Sequence, residues 1–386
     1  MNLGSTSFKF KCYRFSKELQ EVLAFGVIES VGAEQGSYEL QIGGHKKETG
    51  VLSVANHAEG FSFCVKALQE QGVLKNLDDL DAVGYKAVHG GRYSGTRLVD
   101  EELLAEMERM TPLAPAHNPI YLTAMRDIRV HFPELMQVAR FETSFHATIP
   151  DYRTAYGVPI HWYEEWGIRK YGFHGSSHEF IAEKMQQMCP HARRIISCHL
   201  GGSSSLCAIL DGKSIATTMG ATPQSGLFQN NRVGDFDIFC LPMLLEHYGG
   251  SLDKVLDVLS SESGFLGLSG VSNDLRPVLG AAEDGDTRAQ LAVQVFVDNI
   301  VGYIGMYTAF LGGLDALVFT GGIGFHSERI RQMVSSRLMY LGLKLDQEKN
   351  QTADAEQINA ADSNIKVYCF MTDEEYIVAR NVYEML

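Results

Sequence analysis

The sequence predicts an α/β fold of two domains. Its 386 residues are more than one ordinary hydrophobic core organises, so two domains are expected. Strand-like and helix-like patterns alternate along the chain, which is typical of α/β proteins. A short loop of glycine and small hydroxyl residues lies between two strand patterns in each half, and this repetition indicates a duplicated fold.

The first half alternates short apolar strands with amphipathic helices. Asn56 is placed to cap the first of these helices, because an asparagine oxygen accepts from free N–H groups of the first turn. Strands are predicted at residues 8–15, 22–31, 37–42, 81–88 and 136–142, and helices at residues 57–71 and 101–110.

The second half repeats the alternation around a longer helix. Asp211-Gly212-Lys213 predicts a hairpin turn, and Thr372 with Glu375 has capping-box spacing for the last helix. Strands are predicted at 194–200, 205–210, 315–320 and 366–370, a largely buried helix at 288–310, and another helix from near Ser327.

Composition excludes several classes of protein. A net charge of -14 disfavours a nucleic-acid surface, although it allows a local basic pocket. No stretch approaches the ~20 apolar residues of a membrane helix, and the N-terminus lacks a signal-peptide pattern. The seven cysteines are scattered without metal-type spacing. We therefore expect reduced, mostly buried thiols in a cytoplasmic protein.

Three glycine elements carry the functional signal. Asn2–Ser7 and His199–Ser205 each lead from one strand into another, and turn N–H groups with hydroxyls can donate to phosphate oxygens. An ordinary hairpin turn is the alternative for either loop alone. The third element, Leu317–Gly324, is an apolar strand ending in a glycine turn against which a base or sugar can lie. No Gly-Lys-Ser/Thr follows, so this is not a Walker-type loop.

These elements, in this order, resemble the acetate and propionate kinase family of the actin, sugar-kinase and Hsp70 ATPase superfamily. The resemblance runs through the whole chain and rests on eight segments: residues 88–91 (VHGG), 113–119 (LAPAHNP), 141–146 (FETSFH), 171–178 (YGFHGSSH), 198–201 (CHLG), 232–237 (RVGDFD), 263–270 (SGFLGLSG) and 373–375 (DEE).

The resemblance implies a fold and an activity. The expected fold is two actin-like (ribonuclease H-like) ATPase domains with a cleft between them, residues 1–145 with 372–386 and residues 146–371. The expected reaction is the reversible transfer of phosphate from ATP to acetate or propionate, with Mg²⁺ (or Mn²⁺). A homodimer is expected, without a nucleic-acid or membrane partner.

The resemblance also assigns roles to residues. Expected catalytic residues are Glu142, Arg232, His174 and Lys86, and expected metal residues are Asn2 and Glu374. The acceptor pocket is assigned to Lys86, Val88, His117, Phe173 and Pro223. The nucleotide site is assigned to Ser7, Lys9, His199, Leu200, Gly201, Gly202, Ser203, Asp274, Leu275, Arg276, Gly321, Gly322, Ile323 and Gly324. His89 and His199 are weaker candidates for donors in the pocket, and His178 is interpreted as a structural histidine. An ion pair of Arg232 with Asp235 or Asp237 is the alternative to catalysis.

This chain departs from the family's pattern. Lys86 stands where the family has arginine, and Glu142 where it has aspartate. A lysine keeps the charge without the bidentate fork, and a glutamate moves its carboxylate by up to ~1.5 Å. We hypothesise that the two changes compensate each other. Gly202, Asn230-Asn231 and Phe325-His326 also replace the usual residues, the last pair where the base is expected.

Two alternatives follow from these departures. One is a related kinase with another short-chain acid or phosphate donor, suggested by Ala116 and by Phe325-His326. The other is a nucleotide-binding homologue with little catalysis, and a zinc hydrolase using His174 and His178 is more distant still. Met1 falls at the end of the family's first strand, so we expect either a start upstream of Met1, which is favoured, or a domain without that strand.

Overall fold

Strands and helices alternate along the chain, which confirms the predicted α/β class. The structure is a computed structural model that describes residues 1–16, 19–43, 47–352 and 356–386. The strands are β1 Asn2–Leu3, β2 Ser7–Phe15, β3 Gln20–Glu29, β4 Gly36–Ile42, β5 Glu48–Leu52, β6 Ala82–Ala87, β7 Thr96–Leu98, β8 Met136–Phe141, β9 Arg194–Leu200, β10 Ser204–Leu210, β11 Lys213–Thr217, β12 Ala316–Thr320 and β13 Lys366–Cys369.

The helices vary in length from single turns to the long core helix α11. They are α1 His57–Glu70, α2 Glu101–Arg109, α3 Asn118–His131, α4 Asp151–Thr154, α5 Ile160–Glu164, α6 Gly175–Met188, α7 Leu241–His247, α8 Leu252–Ser261, α9 Gly264–Ser269, α10 Leu275–Glu283, α11 Thr287–Leu311, α12 Gly321–His326, α13 Glu328–Ser336, α14 Gln347–Gln351 and α15 Glu374–Tyr383. The chain forms two units, Met1–Ser144 with Asp373–Leu386, and Phe145–Thr372.

The first unit contains two sheets. One has the order β1-β2-β3-β4-β5 with antiparallel pairing, and the other has the order β6-β8-β7. Alternate side chains of β2 and β3, including Phe8 and Ile28, are buried against α1 because successive strand residues point to opposite faces. Asn56 caps α1 by accepting from Glu59 N, as predicted.

Strand β1 is only two residues long, yet Met1 bonds to the second sheet of this unit. The Met1 amine donates to Gly84 O at 2.6 Å, and Lys86 N donates to Met1 O at 2.9 Å. Burial lowers the pKa of that amine to about 6. A cavity of about 830 Å³ lies beside Met1, lined by β2, β6, α1 and α15. The rest of β2 and β6 therefore flank open space at this point.

The second unit is built on one mixed sheet of order β11-β10-β9-β12-β13. Strands β9, β12 and β13 run parallel, and β10 pairs antiparallel with both neighbours. All five residues of β12 are buried, as expected for a strand covered on both faces. Asp211 and Gly212 both have positive φ, so the predicted hairpin turn is present between β10 and β11.

Helix α11 fills the core of the second unit. It is the one helix among the described residues that is long and apolar enough to cross a membrane by length and composition. Its buried side chains, including Phe296, Ile300 and Ile304, belong to the main apolar cluster of this unit. The helix is therefore a core helix, in agreement with the prediction at 288–310.

Two local predictions were wrong. The residue that caps α15 is Asp373, whose carboxylate accepts from Tyr376 N, and not Thr372. The Asp373 carboxylate accepts from the first turn one position later, so the Thr372–Glu375 spacing does not match the observed cap. The glycines after β12 are also not a turn, because they form the short helix α12 before Ser327 caps α13.

Candidate active site

In the first unit, one lysine lies between two glutamates. Lys86 Nζ donates to Glu374 Oε2 and lies 3.9 Å from Glu142 Oε2. The three side chains are only 5% to 16% exposed. Burial alone would lower the pKa of Lys86, but the Glu142 and Glu374 carboxylates outweigh it, so the pKa is raised. Lys86 is therefore a fixed positive charge at neutral pH.

The topology of the second sheet of this unit explains why these residues meet. Strands β6 and β8 are parallel neighbours, and Ala87 pairs with Phe141. Lys86 and Glu142 therefore lie at the same carboxyl edge of the sheet, where ligand sites of α/β proteins occur. Glu142 N donates to Ala87 O at 2.8 Å, which fixes the start of the loop after β8. Glu374 reaches the same point as the first residue of α15.

The first glycine loop joins β1 to β2. Gly4 N donates to Ser7 O at 2.8 Å, and His57 Nε2 bonds to Gly4 O at 3.0 Å. A Cβ at Gly4 would lie 2.5 Å from Ser7 Oγ, so a larger residue there would displace the Ser7 hydroxyl. Asn2 and Ser7 are partly buried, and Lys9 is exposed. The predicted strand–loop–strand is present with its hydroxyl residues at the tip.

The second glycine loop joins β9 to β10 in the second unit. Ser204 Oγ bridges the loop, accepting from Gly201 N at 3.2 Å and donating to Gly201 O at 3.1 Å. Asn230 N donates to Gly202 O at 3.3 Å, and a Cβ at Gly202 would approach the Asn230 amide nitrogen to 3.1 Å. A larger residue at position 202 is therefore crowded by Asn230, so two of the departures from the family pattern lie against each other.

Arg232 belongs to this second loop. Its Nη1 donates to Gln229 Oε1 at 3.2 Å and to Ser203 Oγ at 3.4 Å. Its pKa is lowered by burial, but guanidinium remains charged in proteins. Asp235 accepts instead from a backbone N–H and a tyrosine hydroxyl, and Asp237 caps a short helical turn. The alternative of an Arg232–Asp ion pair is therefore wrong, and the guanidinium is held by neutral groups.

Two histidines stack beside β9 and β10. The rings of His174 and His199 are 4.2 Å apart at an angle of 25°. His174 Nδ1 lies 2.8 Å from Ser205 Oγ, and His199 Nδ1 lies 2.7 Å from Ser177 Oγ. His174 has a φ of 57°, a left-handed conformation that is uncommon outside glycine, at the N-cap of α6. His178 is fully buried one turn into that helix, as its structural interpretation predicted.

The third glycine element packs against the second loop. Gly321 has a φ of 75°, and a Cβ there would lie 2.6 Å from Leu200 O. A Cβ at Gly201 would lie 3.8 Å from Gly322 N, which shows how close the two backbones are. Gly322 is exposed, whereas Ile323 and Gly324 are more buried. The backbone of both elements thus forms one glycine surface inside the second unit.

The remaining predicted residues are distributed between the two units. In the first unit, Val88 is partly buried beside the apolar core, and His117 is the N-cap residue of α3. In the second unit, Phe173 is 3% exposed, and Pro223 O accepts from Gln229 Nε2 at 2.8 Å. The structure therefore connects Pro223 to Arg232 through a shared glutamine.

The residues assigned to the base and ribose lie at the start of α10. Leu275 is 4% exposed and belongs to the apolar core, so its role is structural packing at the least. Asp274 caps α10 and also forms a bidentate ion pair with Arg276, whose side chain is 88% exposed. Phe325 and His326 stack edge to face at 4.9 Å after α12.

Phosphoryl transfer needs positive charge on the phosphoryl oxygens, and each unit holds one such group: an ammonium between carboxylates in the first and a guanidinium beside glycine backbone in the second. The similarity to known proteins defines the class as a kinase. The sequence profile of the Acetokinase family matches residues 1–380. The chain belongs to the Acetokinase family, as the resemblance implied.

Individual relatives agree with this membership. The chain is 37% identical to an acetate kinase of Bacillus mycoides (strain KBAB4), over 100% of this chain and 98% of that protein. It is 38% identical to an acetate kinase of Clostridium novyi (strain NT), with coverage of 100% and 97%. The crystal structure of Porphyromonas gingivalis acetate kinase matches with a TM-score of 0.88 at 33% identity, covering 100% of this chain and 98% of that chain. A propionate kinase structure from Francisella tularensis subsp. tularensis SCHU S4 matches with a TM-score of 0.90 at 33% identity, covering 98% and 97%.

Sequence reasoning missed one residue of this site, Gln229, and the contact made by another, Ser205. Gln229 holds both the Arg232 guanidinium and the Pro223 carbonyl, and Ser205 contacts His174. Gln229 lies just before the Asn230-Asn231 departure and has no pattern of its own. Ser205 was assigned to the phosphate loop as one of several hydroxyls, and only the pairing of β9 with β10 shows that it points to the histidines.

Proposed function

We propose that this protein is an ATP- and Mg²⁺-dependent kinase that interconverts acetate or propionate with the corresponding acyl phosphate. A carboxylate oxygen of the acid forms a bond to the γ-phosphorus while the bond to the β,γ-bridging oxygen breaks, which releases ADP. Family membership supports the reaction class. The single observation that carries the proposal here is the Arg232 guanidinium held beside the Gly201–Ser203 backbone by neutral side chains.

Arg232 is suited to stabilise the charge on a transferring phosphoryl group. Its partners Ser203 and Gln229 are uncharged, and no carboxylate among the described residues pairs with the guanidinium. In such surroundings a positive charge interacts more strongly with an anion than it would in water. We assign the neighbouring glycine surface at Gly201, Gly202, Gly321 and Gly322 to the nucleotide phosphates. His174 would donate a hydrogen bond to the same phosphoryl group.

The first unit would supply the metal site. Mg²⁺ is usually held by one or two carboxylates together with substrate phosphates. The carboxylates of Glu142 and Glu374 both lie beside the Lys86 ammonium, so the two of them can surround a single positive charge. The donor chemistry therefore fits a hard cation, with Asn2 as a further oxygen donor. Bound Mg²⁺ would neutralise the β- and γ-phosphate oxygens, while Lys86 would shift its charge toward the phosphoryl group.

The acceptor pocket would be small and apolar. Val88 in the first unit, and Phe173 and Pro223 in the second, are the residues assigned to the methyl or ethyl group. Phe173 is nearly buried and its carbonyl accepts from His146 Nε2 at 2.9 Å, so its backbone is fixed. His117 would donate to the acid. Ala116 is exposed and leaves open an acid larger than propionate.

Formation of acyl phosphate tests the proposal directly. The purified protein is incubated with ATP, Mg²⁺ and acetate, propionate or butyrate, and acyl phosphate is trapped as the hydroxamate. Hydroxamate from acetate or propionate is expected, with at least tenfold loss in Arg232→Lys because the bidentate fork is lost. The matched control is Arg193→Lys, an exposed arginine paired with Asp211. ATP binding without hydroxamate from any acid would refute the proposed reaction.

One observation favours the second candidate, a nucleotide-binding homologue with little catalysis. The Lys86–Glu374 hydrogen bond joins an expected catalytic residue to an expected metal ligand. If Lys86 does not release Glu374, neither group is available to Mg²⁺ and phosphate. The hydroxamate assay separates the two functions, and pyrophosphate in place of ATP tests the other phosphate donor.

The proposed enzyme is a cytoplasmic homodimer that associates through its second unit. All seven cysteines are free, and five of them are buried, which fits a reducing compartment. Ile238, Phe239 and Met243 are 65%, 87% and 66% exposed around α7, and Leu252 and Leu256 of α8 are about half exposed. Exposed apolar groups this close together indicate a protein interface. Light scattering of wild type and of Phe239→Asp tests this, and a monomeric wild type would contradict it.

A further inference from the structure

A chain of hydrogen bonds links the interior of the second unit to His174. Ser197 Oγ lies 2.9 Å from His178 Nδ1, and His178 Nε2 lies 2.9 Å from Ser205 Oγ. Ser205 Oγ then lies 2.8 Å from His174 Nδ1. Ser197, His178 and Ser205 are fully buried, whereas His174 is partly exposed. Three buried side chains, two of them so far without a part in the reaction, thus lead by hydrogen bonds to His174.

The protons of this chain can be counted. A neutral imidazole carries one N–H, and a hydroxyl donates one hydrogen bond. Burial, together with the nearby His146 and His199, lowers the pKa of His178, so its ring is neutral. A neutral ring donates at one nitrogen and accepts at the other. The bonds therefore all point toward His174, or they all point toward Ser197.

Only one of these two directions satisfies every buried hydrogen. If the bonds pointed toward Ser197, its hydroxyl would accept from His178 and would need another acceptor for its own hydrogen. Among the described residues, the side chain of Ser197 bonds only to His178. Buried hydroxyls are rarely left without an acceptor because the loss is unfavourable. The donors therefore run from Ser197 to His178, then to Ser205, and from Ser205 to His174 Nδ1.

This direction determines the protonation of His174. A nitrogen that accepts from the Ser205 hydroxyl carries no proton, so the single N–H of a neutral His174 is on Nε2. The close stacking of His174 on His199, at 4.2 Å, independently disfavours two charged rings. A neutral ring with Nε2–H is a hydrogen-bond donor and cannot accept a proton at Nδ1 while Ser205 donates to it.

We propose that Ser197, His178 and Ser205 are positioning residues that hold His174 as the neutral Nε2–H tautomer, so that it donates to the transferring phosphoryl group. The proposal rests on the proposed function for the role of His174, but the tautomer itself can be measured without turnover. His178 is then more than a core histidine, since it transmits the orientation of one buried hydroxyl to another.

The tautomer is measured by NMR of the full-length protein labelled with ¹⁵N-histidine, with His174→Gln used to assign the His174 signals. Wild type is expected to show a protonated Nε2 and an unprotonated Nδ1 at neutral pH. Ser205→Ala removes the donor to Nδ1, and we expect both tautomers in comparable amounts. Ser197 does not contact His174. Ser197→Ala should nevertheless mix the tautomers of His174, because the hydrogen bonds between them would no longer be held in one direction.

Kinetics give a second readout. Ser205→Ala should lower kcat at least tenfold with less than about a threefold change in KM for ATP or acetate, and Ser205→Thr should restore most of the loss. The matched control is Ser214→Ala, a buried serine that bonds to His146 Nδ1 at 2.9 Å and has no contact with His174. It should leave the His174 tautomer and kcat unchanged even if it destabilises the fold.

Two results would overturn the inference. One is a wild-type His174 that is protonated on Nδ1 or on both nitrogens. The other is a His174 tautomer that stays the same in both Ser205→Ala and Ser197→Ala, which would show that the chain has no directing effect. Full turnover in His174→Ala would instead remove His174 from the proposed function, and the donor role proposed here would fall with it while the measured tautomer remained valid.

Discussion

Replacing Lys86 and Glu142 together should lower kcat/KM and stability less than replacing either residue alone. The variants are Lys86→Arg, Glu142→Asp and the double variant, which together restore the pair of residues typical of the resembled family. Both side chains are buried at the same sheet edge, with Nζ and Oε2 3.9 Å apart. Residues in such contact are expected to show non-additive effects. The size of this coupling follows from the lengths of the side chains.

Each single change disturbs the cluster in a different way. Two unit charges 3.9 Å apart attract by about 4 kcal/mol at an effective dielectric constant of about 20. Glu142→Asp withdraws the carboxylate by up to ~1.5 Å, which removes about 1 kcal/mol of this attraction. Lys86→Arg places a larger group between buried carboxylates, and overpacking costs about 1–3 kcal/mol. In the double variant the shorter aspartate leaves room for the guanidinium, so we expect a favourable coupling of about 1–2 kcal/mol.

The coupling is measured in two ways. The hydroxamate assay gives kcat/KM for each of the four proteins, and a coupling of about 1.4 kcal/mol appears as a tenfold excess of the double variant over the product of the singles. Urea unfolding gives the same cycle for stability. Lys344→Arg is the control, because Lys344 and Asp362 form a surface pair with side chains 51% and 69% exposed. That change should alter stability by less than about 0.5 kcal/mol.

Additivity would refute this reasoning. If the effects of the two single changes on kcat/KM sum to that of the double variant within about 0.5 kcal/mol, Lys86 and Glu142 act independently. If Glu142→Asp alone raises turnover, the glutamate is a defect and not part of a matched pair.

Three further predictions follow from the structure. Gly321→Ala should abolish ATP binding in calorimetry because its Cβ would meet Leu200 O at 2.6 Å with a φ of 75°. Gly302→Ala in α11, where a Cβ has no atom within 4 Å, should be tolerated, and equal effects of the two changes would contradict this. Burial lowers the pKa of His146 to about 4 in the folded protein, from 6.5. Between about pH 6.5 and 4 this histidine therefore binds a proton in the unfolded chain but not in the folded one. The free energy of unfolding should therefore fall by up to about 1.4 kcal/mol per pH unit as pH drops through that window, and His146→Gln should show a shallower slope in urea titrations. A short segment with four apolar residues in alternate positions, fused to the N-terminus before Met1, should pair with β2 and β6 and fill the 830 Å³ cavity. It should raise the melting temperature by several degrees, whereas a Gly-Ser segment of equal length should not.

The elements predicted best were those set by local chemistry. The Asn56 cap and the Asp211-Gly212 turn depend on a few neighbouring residues, and both were found. Strands β5 and β7 were not predicted, since they are short and their residues lack an alternating pattern. The α15 cap was wrong because Thr372 and Asp373 both satisfy the spacing rules, and only the tertiary position of the helix selects Asp373.

The local backbone of the candidate site was predictable where a glycine has one evident purpose. Gly201 and Gly321 were assigned to the nucleotide site from sequence, which stays a prediction, and the close backbone approach that requires glycine at 321 is present. The contacts that give each charge its state were not predictable, since they come from residues distant in sequence. Lys86 meets Glu374 across 288 positions, and His174 meets Ser205 across 31. A motif identifies the charged residue, and topology alone identifies the group that holds it.

Because the position of each charge depends on the group that holds it, the departures at Lys86 and Glu142 can preserve the same arrangement of charges. A lysine ends in a compact ammonium where an arginine would extend a broader fork, and a glutamate carries its carboxylate one methylene further than an aspartate. The exchange shortens the cation and lengthens the anion on adjacent parallel strands, where β6 and β8 fix the distance between their backbones. We therefore expect the two replacements together to leave the distance between the charges nearly unchanged. Because Glu374 is bonded to the same ammonium, the restored arginine would have to satisfy both carboxylates, and this makes the double variant more informative than either reversion.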